Sequence, residues 1–276
     1  ALPPDIEPRA TGHIPEMIEM IETLVAKDHA YEAQGHVLFA VGTDDDYGKL
    51  SGRDRDEMIA GARVEVADYK RDPADFVLWK PSTDDLPGWD SPWGRGRPGW
   101  HIECTAMSME LLGAQFDIHG GGHDLRFPHH EAEIFQGECH TGIEPVVHHW
   151  LHNGFVNIDG EKMSKSLGNF WTIKEILEKV DPMVLRLALI NAHYRSPIDM
   201  NEQLLTDAEK NMARIEETYR KALLAEEEEP VQLPRAEITS GLPLGRSLGL
   251  LEVMASDFAK AMDDDFNSRE AIAKLL

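Results

Sequence analysis

The chain has 276 residues, of which 50 are acidic and 27 basic, and its net charge of −23 excludes binding of a polyanion over the whole surface. Any nucleic-acid contact is therefore expected in a local basic patch, and no membrane partner is expected, because no apolar run reaches the roughly 18 residues of a membrane span. Two cysteines are too few for a disulfide framework, which favours a reducing cytoplasm.

The first hundred residues predict one helix, one strand and two loops. Apolar residues recur at helical spacing over 13–29, whereas the run GHVLFAV at 35–41 is typical of a strand. The polar stretch 42–53 is expected to be a loop. Residues 71–100 are rich in proline, glycine and tryptophan, which predicts a long irregular connection. Because three of the six tryptophans fall within 88–100, we expect this connection to be ordered and functional.

The middle of the chain predicts a crossover unit of a parallel sheet. A helix is predicted at 105–113, a short strand running into a glycine turn at 115–122, a second helix at 128–140, and one or two strands at 145–158. In such sheets the ligand crevice lies beyond the carboxyl ends of the strands. The segment from His119 to Asp124 is therefore expected at the crevice.

The last hundred residues predict helices. A long helix is predicted at 202–226, followed by a charged, proline-containing linker at 225–237 and a last helical segment from 245 to the end. The chain begins without a methionine and ends without a helix stop signal, so we expect a piece of a longer protein.

Two features of the middle segment suggest a metal site. His129 and Glu133 are four residues apart and share one face of the predicted helix. Cys104 follows the tryptophan-rich segment, where the fold can bring it close. Three such ligands with an open fourth position describe a catalytic zinc. The spacing alone leaves open that His129 or His130 caps the helix and that Cys104 fills the core.

The segment GEKMSKSLGN at 160–169 is a second candidate site. It carries two lysines and two serines between flexible ends in an otherwise acidic chain. Such a loop can close over a triphosphate and place Lys162 and Lys165 on the developing pyrophosphate charge. The alternative is a solvated basic turn.

The KMSKS segment resembles the signature loop of class I aminoacyl-tRNA synthetases. Together with it, the stretches EPRAT, DYGKLSGR, DFVLWKPS, PWGRGRPGWHIECTAMS, FDIHGGGHDLRFPHHEAE, EKMSKSLGNF and AMDDDFNS resemble the cysteinyl-tRNA synthetase family. The resemblance covers nearly the whole chain and is most specific over 91–170.

The resemblance implies an α/β fold, with the second half of a class I synthetase Rossmann-type parallel sheet, a connective insertion and a C-terminal α-helical domain. Its implied segments are the end of the first Rossmann half with the insertion at 1–92, and the second Rossmann half with the zinc and cysteine site at 93–158. The KMSKS segment follows at 159–203, and a truncated helical region that binds the tRNA anticodon at 204–276.

The resemblance also implies one zinc ion per chain, which binds the thiolate of the substrate cysteine and is held here by Cys104, His129 and Glu133. The family's HHENE motif reads HHEAE in this chain, so Ala132 replaces an asparagine that is not a ligand. The family's N-terminal zinc-binding cysteine and its ATP-binding HIGH motif are absent from the sequence. We therefore expect the chain alone to be incomplete for catalysis.

The remaining site residues are also carried over from the family. Trp100, His119 and Asp124 are implied to contact the amino acid, with loop packing as the alternative for Trp100 and a helix cap as the alternative for Asp124. Five histidines (123, 130, 140, 148 and 149) are expected to be structural or at the surface, and Cys139 to be an ordinary thiol. ATP is implied to contact Gly120, Gly121, Gly122 and Lys165, with Lys162 and Lys165 as catalytic groups.

The implied activity is ATP-dependent formation of cysteinyl-adenylate and its transfer to tRNA(Cys), by a cytoplasmic monomer with Mg²⁺ on the ATP. A ligase joining cysteine to an amino sugar–inositol shares the fold, the zinc and KMSKS, but the long helical region after residue 200 favours the tRNA enzyme. A non-catalytic paralogue is a third hypothesis. A zinc hydrolase is disfavoured, because no glutamate is placed as a general base beside a two-histidine helix motif.

Overall fold

The computed structural model describes residues 2–53, 57, 67–158, 160–163, 171–227 and 243–276. The chain forms two compact units, Ala1–His152 and Asn153–Leu276. The finer division into four segments, with boundaries near residues 92, 158 and 203, stays a prediction.

The first helix, α1 (Ile14–Ala26), confirms the amphipathic pattern over 13–29. Pro15 stands in its first turn, where the missing N–H leaves no hydrogen bond unmade. One face is buried in the core of the first unit, at Ile14, Met17, Met20, Ile21 and Leu24.

A four-stranded antiparallel sheet follows, in the order β1 (Ala30–Ala33), β2 (His36–Phe39), β3 (Phe76–Pro81) and β4 (Gly96–Pro98). Strand β2 confirms the predicted strand. Gln34 and Gly35 form a two-residue turn between β1 and β2 with φ of 51° and 75°, which is the backbone of a type I′ hairpin. Strand β1 was not predicted, because AYEA is short and has no β-branched residue.

The prediction of an irregular connection over 71–100 is wrong in part, because β3 and β4 lie within it. Trp79 on β3 is fully buried. The glycines that suggested a loop instead allow close backbone contact: a Cβ at Gly99 would lie 2.0 Å from the Val77 carbonyl oxygen, and one at Gly96 would lie 2.2 Å from Trp79 Nε1.

The crossover unit contains α2 (Trp100–Leu112), β5 (Phe116–Gly122), α3 (Glu131–Thr141) and β6 (Val147–Asn153). Helix α2 begins five residues before its predicted start and ends, as predicted, at Gly113, whose φ is 94°. A 3₁₀ turn (His123–Leu125) and a π turn (Arg126–His130) connect β5 to α3.

Strands β5 and β6 are hydrogen-bonded neighbours and run in the same direction. The Phe116 N–H donates to the Val146 carbonyl at the start of both strands, and Gly120 lies against the Leu151 carbonyl further along. This parallel pair with α3 as its crossover confirms the predicted unit.

The second unit places three short strands beside helices. Its strands are β7 (Val156–Ile158), β8 (Glu161–Lys162) and β9 (Ile198–Met200), in the order β8-β7-β9. Its helices are α4 (Ile173–Leu177), α5 (Pro182–Ile190), α6 (Glu202–Glu227), α7 (Pro243–Asp263) and α8 (Ser268–Leu275).

Helix α6 confirms the long predicted helix, whereas β9 was not predicted. The last predicted helix is interrupted, since Asp265 and Phe266 have φ of 52° and 53° and Asn267 caps α8 by accepting from the Glu270 N–H. The predicted linker at 225–237 overlaps the end of α6 and otherwise lies outside the described residues. None of the helices searched in the described part of the chain has the length and apolarity to cross a membrane.

Candidate metal centre

Two helices and the turn before α3 bring the predicted ligands together. Cys104 lies one turn into α2, and His129 and Glu133 flank the start of α3. The Cys104 sulfur, a His129 ring nitrogen and a Glu133 carboxylate oxygen all lie within 4.8 Å of one another. The side chains of His129 and Glu133 are about 95% buried, so the cluster is closed to solvent on the protein side.

The contact between His129 and Glu133 has the geometry of two groups that face a common point. Glu133 Oε1 lies 2.9 Å from His129 Nε2. This buried oxygen nevertheless receives no hydrogen bond from any donor in the described part of the chain. A buried carboxylate oxygen without a donor is costly unless a cation satisfies it.

The charge around Glu133 favours a cation as well. Its ion contacts among the described residues are the two histidines 119 and 129, with no lysine or arginine. Burial, together with the charges of Glu133 and Glu103, raises the pKa of the Cys104 thiol to about 12. A metal ion would reverse this penalty, since a coordinated thiol loses its proton. Thiol, imidazole and carboxylate together form a donor set that suits zinc.

His119, in the middle of β5, contributes to a second, overlapping group. Its Nε2 lies 3.5 Å from Glu133 Oε2, and His119, His130 and Glu133 also have ligand atoms within 4.8 Å of one another. Its ring stacks on Trp150 with a centroid distance of 4.7 Å. Burial lowers the pKa of His119, and Glu133 opposes that shift.

His130 was predicted to be structural or at the surface, and it is fully buried. Its Nδ1 lies 2.9 Å from His152 Nε2, within hydrogen-bond distance. Burial, reinforced by the neighbouring histidines, lowers the pKa of His130 to about 3, so the ring is neutral. A Cβ at Gly121 would lie 2.6 Å from His130 Cε1, which explains why glycine is needed at that position.

His101 is a functional candidate that the sequence interpretation missed. Its Nδ1 shares a 2.7 Å hydrogen bond with Nδ1 of His129. Burial lowers the pKa of His101 to about 4, so one neutral ring donates and the other accepts. This bond leaves His129 Nε2 directed at Glu133, as a partner behind a metal ligand does. The spacing of His101 and Cys104, three residues apart on one helix face, was the available signal.

Trp100 lies over the same imidazole. Its ring stacks on His129 at a centroid distance of 4.2 Å and an interplanar angle of 18°. The indole is still 58% exposed, so it forms part of the rim of the cluster.

Glu131 was also missed, although it is in the middle of the HHEAE motif. Its fully buried carboxylate accepts hydrogen bonds from three backbone N–H groups, those of Gly48, Leu50 and Ser51. Arg126 donates to the carbonyls of Leu50 and Ser51. The DYGKLSGR stretch is thereby fixed to the start of α3.

The other predicted site residues are spread over both units. Gly120 to Gly122 form the end of β5, and Asp124 is exposed in the following 3₁₀ turn. A Cβ at Gly122 would lie 2.5 Å from Asp124 Oδ1. Lys162 ends β8 in the second unit. Lys165 lies outside the described residues. The roles assigned to these residues stay predictions.

Residues 1–210 match the family described as tRNA synthetases class I (C) catalytic domain. The chain belongs to this family. The predicted resemblance and the α/β fold class of a class I synthetase are therefore confirmed.

Curated relatives of this class I synthetase chain are named Cysteine–tRNA ligase. The protein of Xanthomonas euvesicatoria is 53% identical over 272 residues, covering 99% of this chain and 54% of the relative. The protein of Rhodospirillum rubrum is 53% identical over 275 residues, which cover 100% of this chain and 55% of the relative. The chain thus spans about half the length of these relatives.

Solved structures of other class I synthetases share the fold. Mycobacterium tuberculosis methionyl-tRNA synthetase in complex with methionyl-adenylate aligns with a TM-score of 0.59 at 15% identity, covering 98% of this chain and 64% of that one. A putative arginyl-tRNA synthetase from Campylobacter jejuni aligns with a TM-score of 0.56 at 13% identity, covering 96% and 53%. At these identities the likeness concerns the fold alone.

Proposed function

We propose that the longer protein containing this chain is a cytoplasmic, monomeric cysteine–tRNA ligase. It activates L-cysteine with ATP and transfers the cysteinyl group to tRNA(Cys). The observation that carries this proposal is the convergence of Cys104, His129 and Glu133 in a chain whose curated relatives bear that name.

Cys104, His129 and Glu133 would hold one zinc ion, with a further protein ligand from outside this chain. When bound, zinc supplies a soft site for the thiolate of the substrate cysteine, for which the hydroxyl of serine is a poor replacement. A site built around one bonding group can reject a substrate lacking it by roughly 10⁴-fold or more, without editing.

The surrounding residues position the ligands and the amino acid. His101 holds His129 through the 2.7 Å hydrogen bond, and Trp100 stacks on the face of the same imidazole ring. We assign Trp100, His119 and Asp124 to the amino-acid substrate. Trp100 stacks on His129 at the rim of the cluster, and His119 contacts Glu133 from the middle of β5. Asp124 lies in the turn after the carboxyl end of β5, where ligands of parallel sheets bind.

The phosphate chemistry is assigned to glycines 120 to 122 and to the KMSKS segment. The carboxylate of cysteine attacks the α-phosphorus of ATP, which releases pyrophosphate and leaves cysteinyl-adenylate. Lys162 and Lys165 are assigned to the negative charge that develops on the pyrophosphate, together with Mg²⁺. A hydroxyl of the terminal adenosine of tRNA then attacks the adenylate carbonyl and releases AMP. Positioning and charge neutralisation supply most of the rate enhancement.

The experiment is transfer of labelled cysteine to total tRNA by the full-length protein, with ATP–pyrophosphate exchange measured beside it. Charging that depends on cysteine and is lost after zinc chelation is the expected result. Exchange without charging would instead indicate a ligase acting on a small molecule. A protein with neither activity would be a non-catalytic paralogue, and the proposal would be wrong.

A further inference from the structure

The start of α3 carries metal ligands on one side and a buried carboxylate on another. His129 and Glu133 are four residues apart and converge with Cys104. Glu131 is two residues from each of them, so it projects from a different side of the helix. Its side chain is fully buried, yet in the described part of the chain it belongs to neither group of converging ligand atoms. The metal centre therefore leaves this buried charge unexplained.

Segment 47–51 forms a strap along α3, and the backbone of the strap binds the Glu131 carboxylate. The N–H groups of Gly48 and Leu50 donate to Oε1 at 3.2 and 3.0 Å, and that of Ser51 donates to Oε2 at 2.8 Å. Hydrogen bonds to an ionised carboxylate are among the stronger ones in proteins. Both carboxylate oxygens are therefore used to hold the strap.

The strap also binds the chain on the other side of His129. Arg126 donates from Nε and Nη2 to the Leu50 carbonyl at 2.9 and 2.7 Å, and from Nη2 to the Ser51 carbonyl at 3.0 Å. Arg126 stands three residues before His129, and Glu131 stands two residues after it. His129 is thus bracketed by two attachments to the same strap.

The backbone around His129 is irregular, so regular helix hydrogen bonds do not fix its position. His129 lies in the π turn Arg126–His130, within which Phe127 has non-helical φ and ψ of −141° and 132°. At the N-cap of α3, His130 makes no side-chain capping hydrogen bond. The placement of His129 therefore depends on contacts from outside the helix, and the strap supplies them on both sides.

The same strap has a second attachment, away from the metal centre. Lys49 pairs with Glu138 at 2.6 Å and with Glu144 at 2.7 Å, near the end of α3. Glu138 is five residues beyond the ligand Glu133, which is more than one helical turn. The strap therefore contains its own control, because one attachment lies beside the ligands and the other does not.

We propose that Glu131 is a positioning residue of the metal centre: by binding the strap, it fixes the start of α3 so that His129 and Glu133 meet Cys104. This assignment rests on the proposed function for the identity of the metal as zinc. Hydrogen-bond partners behind metal ligands typically change metal affinity by about 10- to 100-fold when they are removed.

The test uses Glu131→Gln in the full-length protein. Glutamine keeps the size of the side chain, but one oxygen is replaced by an NH₂ group that would face a strap N–H. Lys49→Met is the matched control, since it releases the other attachment of the same strap. Arg126→Met removes the attachment before His129, and this variant decides the test if Glu131→Gln does not fold.

Three measurements are made on each variant. Zinc affinity is measured by competition with a chromophoric chelator, and the free energy of unfolding by urea on metal-free protein. The absorption spectrum of the Co²⁺-substituted protein reports the geometry of the ligands, which a change in stability alone does not alter.

We expect Glu131→Gln to weaken zinc binding by about 10- to 100-fold and to change the Co²⁺ spectrum. Arg126→Met should give a smaller loss in the same direction. Lys49→Met should keep the parental zinc affinity and spectrum although it lowers stability. In pyrophosphate exchange, Glu131→Gln should raise the KM for cysteine and leave the KM for ATP unchanged.

Parental zinc affinity and spectrum in Glu131→Gln, or in Arg126→Met if the first variant does not fold, would overturn the assignment. The proposed function would stand in that case, provided that the parent charges tRNA. Equal losses of zinc affinity in Glu131→Gln and Lys49→Met would show that the strap acts through general stability, and would also overturn the assignment. A parent protein that neither binds zinc nor charges tRNA would overturn both proposals.

Discussion

The two ends of helix α3 contain the same kinds of residues and use them differently. At its start, His129 and Glu133 face Cys104 across the helix pair. At its end, Cys139 and His140 lie near Glu138, and the Cys139 sulfur is 3.9 Å from an Asp44 carboxylate oxygen. In the described residues, ligand atoms converge at the first end and not at the second.

The thiols alone do not distinguish the two ends. Burial raises the pKa of both Cys104 and Cys139 to about 12, with nearby carboxylates adding to each shift. The difference is the source of positive charge. Lys27 donates to the last carbonyls of α3, and Lys49 pairs with Glu138 at 2.6 Å. At the first end, the ion contacts of Glu133 among the described residues are to histidines, so its charge is left for an ion to balance.

The largest expected effect separates the two cysteines. Cys104→Ser in the full-length protein should lose zinc and lower cysteine-dependent pyrophosphate exchange by at least about 10³-fold, because serine keeps its proton near neutral pH and is a poor zinc ligand. Cys139→Ser should keep both. Metal content by atomic spectroscopy and exchange rates are measured on the same preparations.

Zinc retained at the parental level in both serine variants would contradict the comparison directly. Loss of zinc in both would mean that the end of α3 supports the metal site through packing. Circular dichroism separates that outcome from unfolding.

A second, smaller effect concerns the histidine behind the ligand. His101→Phe removes the Nδ1 partner of His129 while keeping a ring of similar shape, and should weaken zinc affinity by about 10- to 100-fold. His140→Phe at the other end should leave zinc affinity unchanged. Competition against a chromophoric chelator measures both affinities, and parental affinity in His101→Phe would show that the hydrogen bond does not orient the ligand.

Local patterns predicted the elements whose signals are contained within one segment. The helical spacing of α1, the Gly113 stop of α2 and the strand–helix–strand order around α3 were all readable. Strands β3 and β4 were not, because Trp79 is buried only by residues distant in sequence, and glycines 96 and 99 signal a loop until the opposing strand is known.

In the candidate site, too, the sequence predicted the residues whose signals are local and missed those whose partners are distant along the chain. Cys104, His129 and Glu133 were named from spacing and resemblance, and the structure brings them together. His101 and Glu131 were missed, because their partners are a ring nitrogen 28 residues away and backbone N–H groups about 80 residues away. Contacts of that sequence separation leave no periodicity in the sequence.

The smallest effect concerns the end of α3 at Glu138, whose charge Lys49 balances. Lys49 should contribute to stability and not to metal binding. Lys49→Met removes the partner of Glu138, a side chain that is only 9% exposed. Because Lys49 itself is partly exposed and solvent screens the pair, we expect a loss of about 1–2 kcal/mol in the free energy of unfolding at pH 7. Zinc affinity should stay at the parental value.

The pH dependence of this loss in stability follows from the pKa shift of Glu138. Burial raises the pKa of Glu138 above its ordinary value of 4.5, although Lys49 opposes the shift. Folding therefore favours the protonated carboxyl, a contribution that is fully present below pH 4.5 and is lost as the pH rises through the folded-state pKa. Without Lys49 that pKa rises further, so the deficit of Lys49→Met should be largest at pH 7 and shrink toward pH 5. Urea unfolding at both pH values measures it, with Lys221→Met, which removes an exposed pair with Glu217, as the control. A deficit that is constant with pH would mean that the lysine stabilises this end through packing of its stem and not through its charge pair with Glu138.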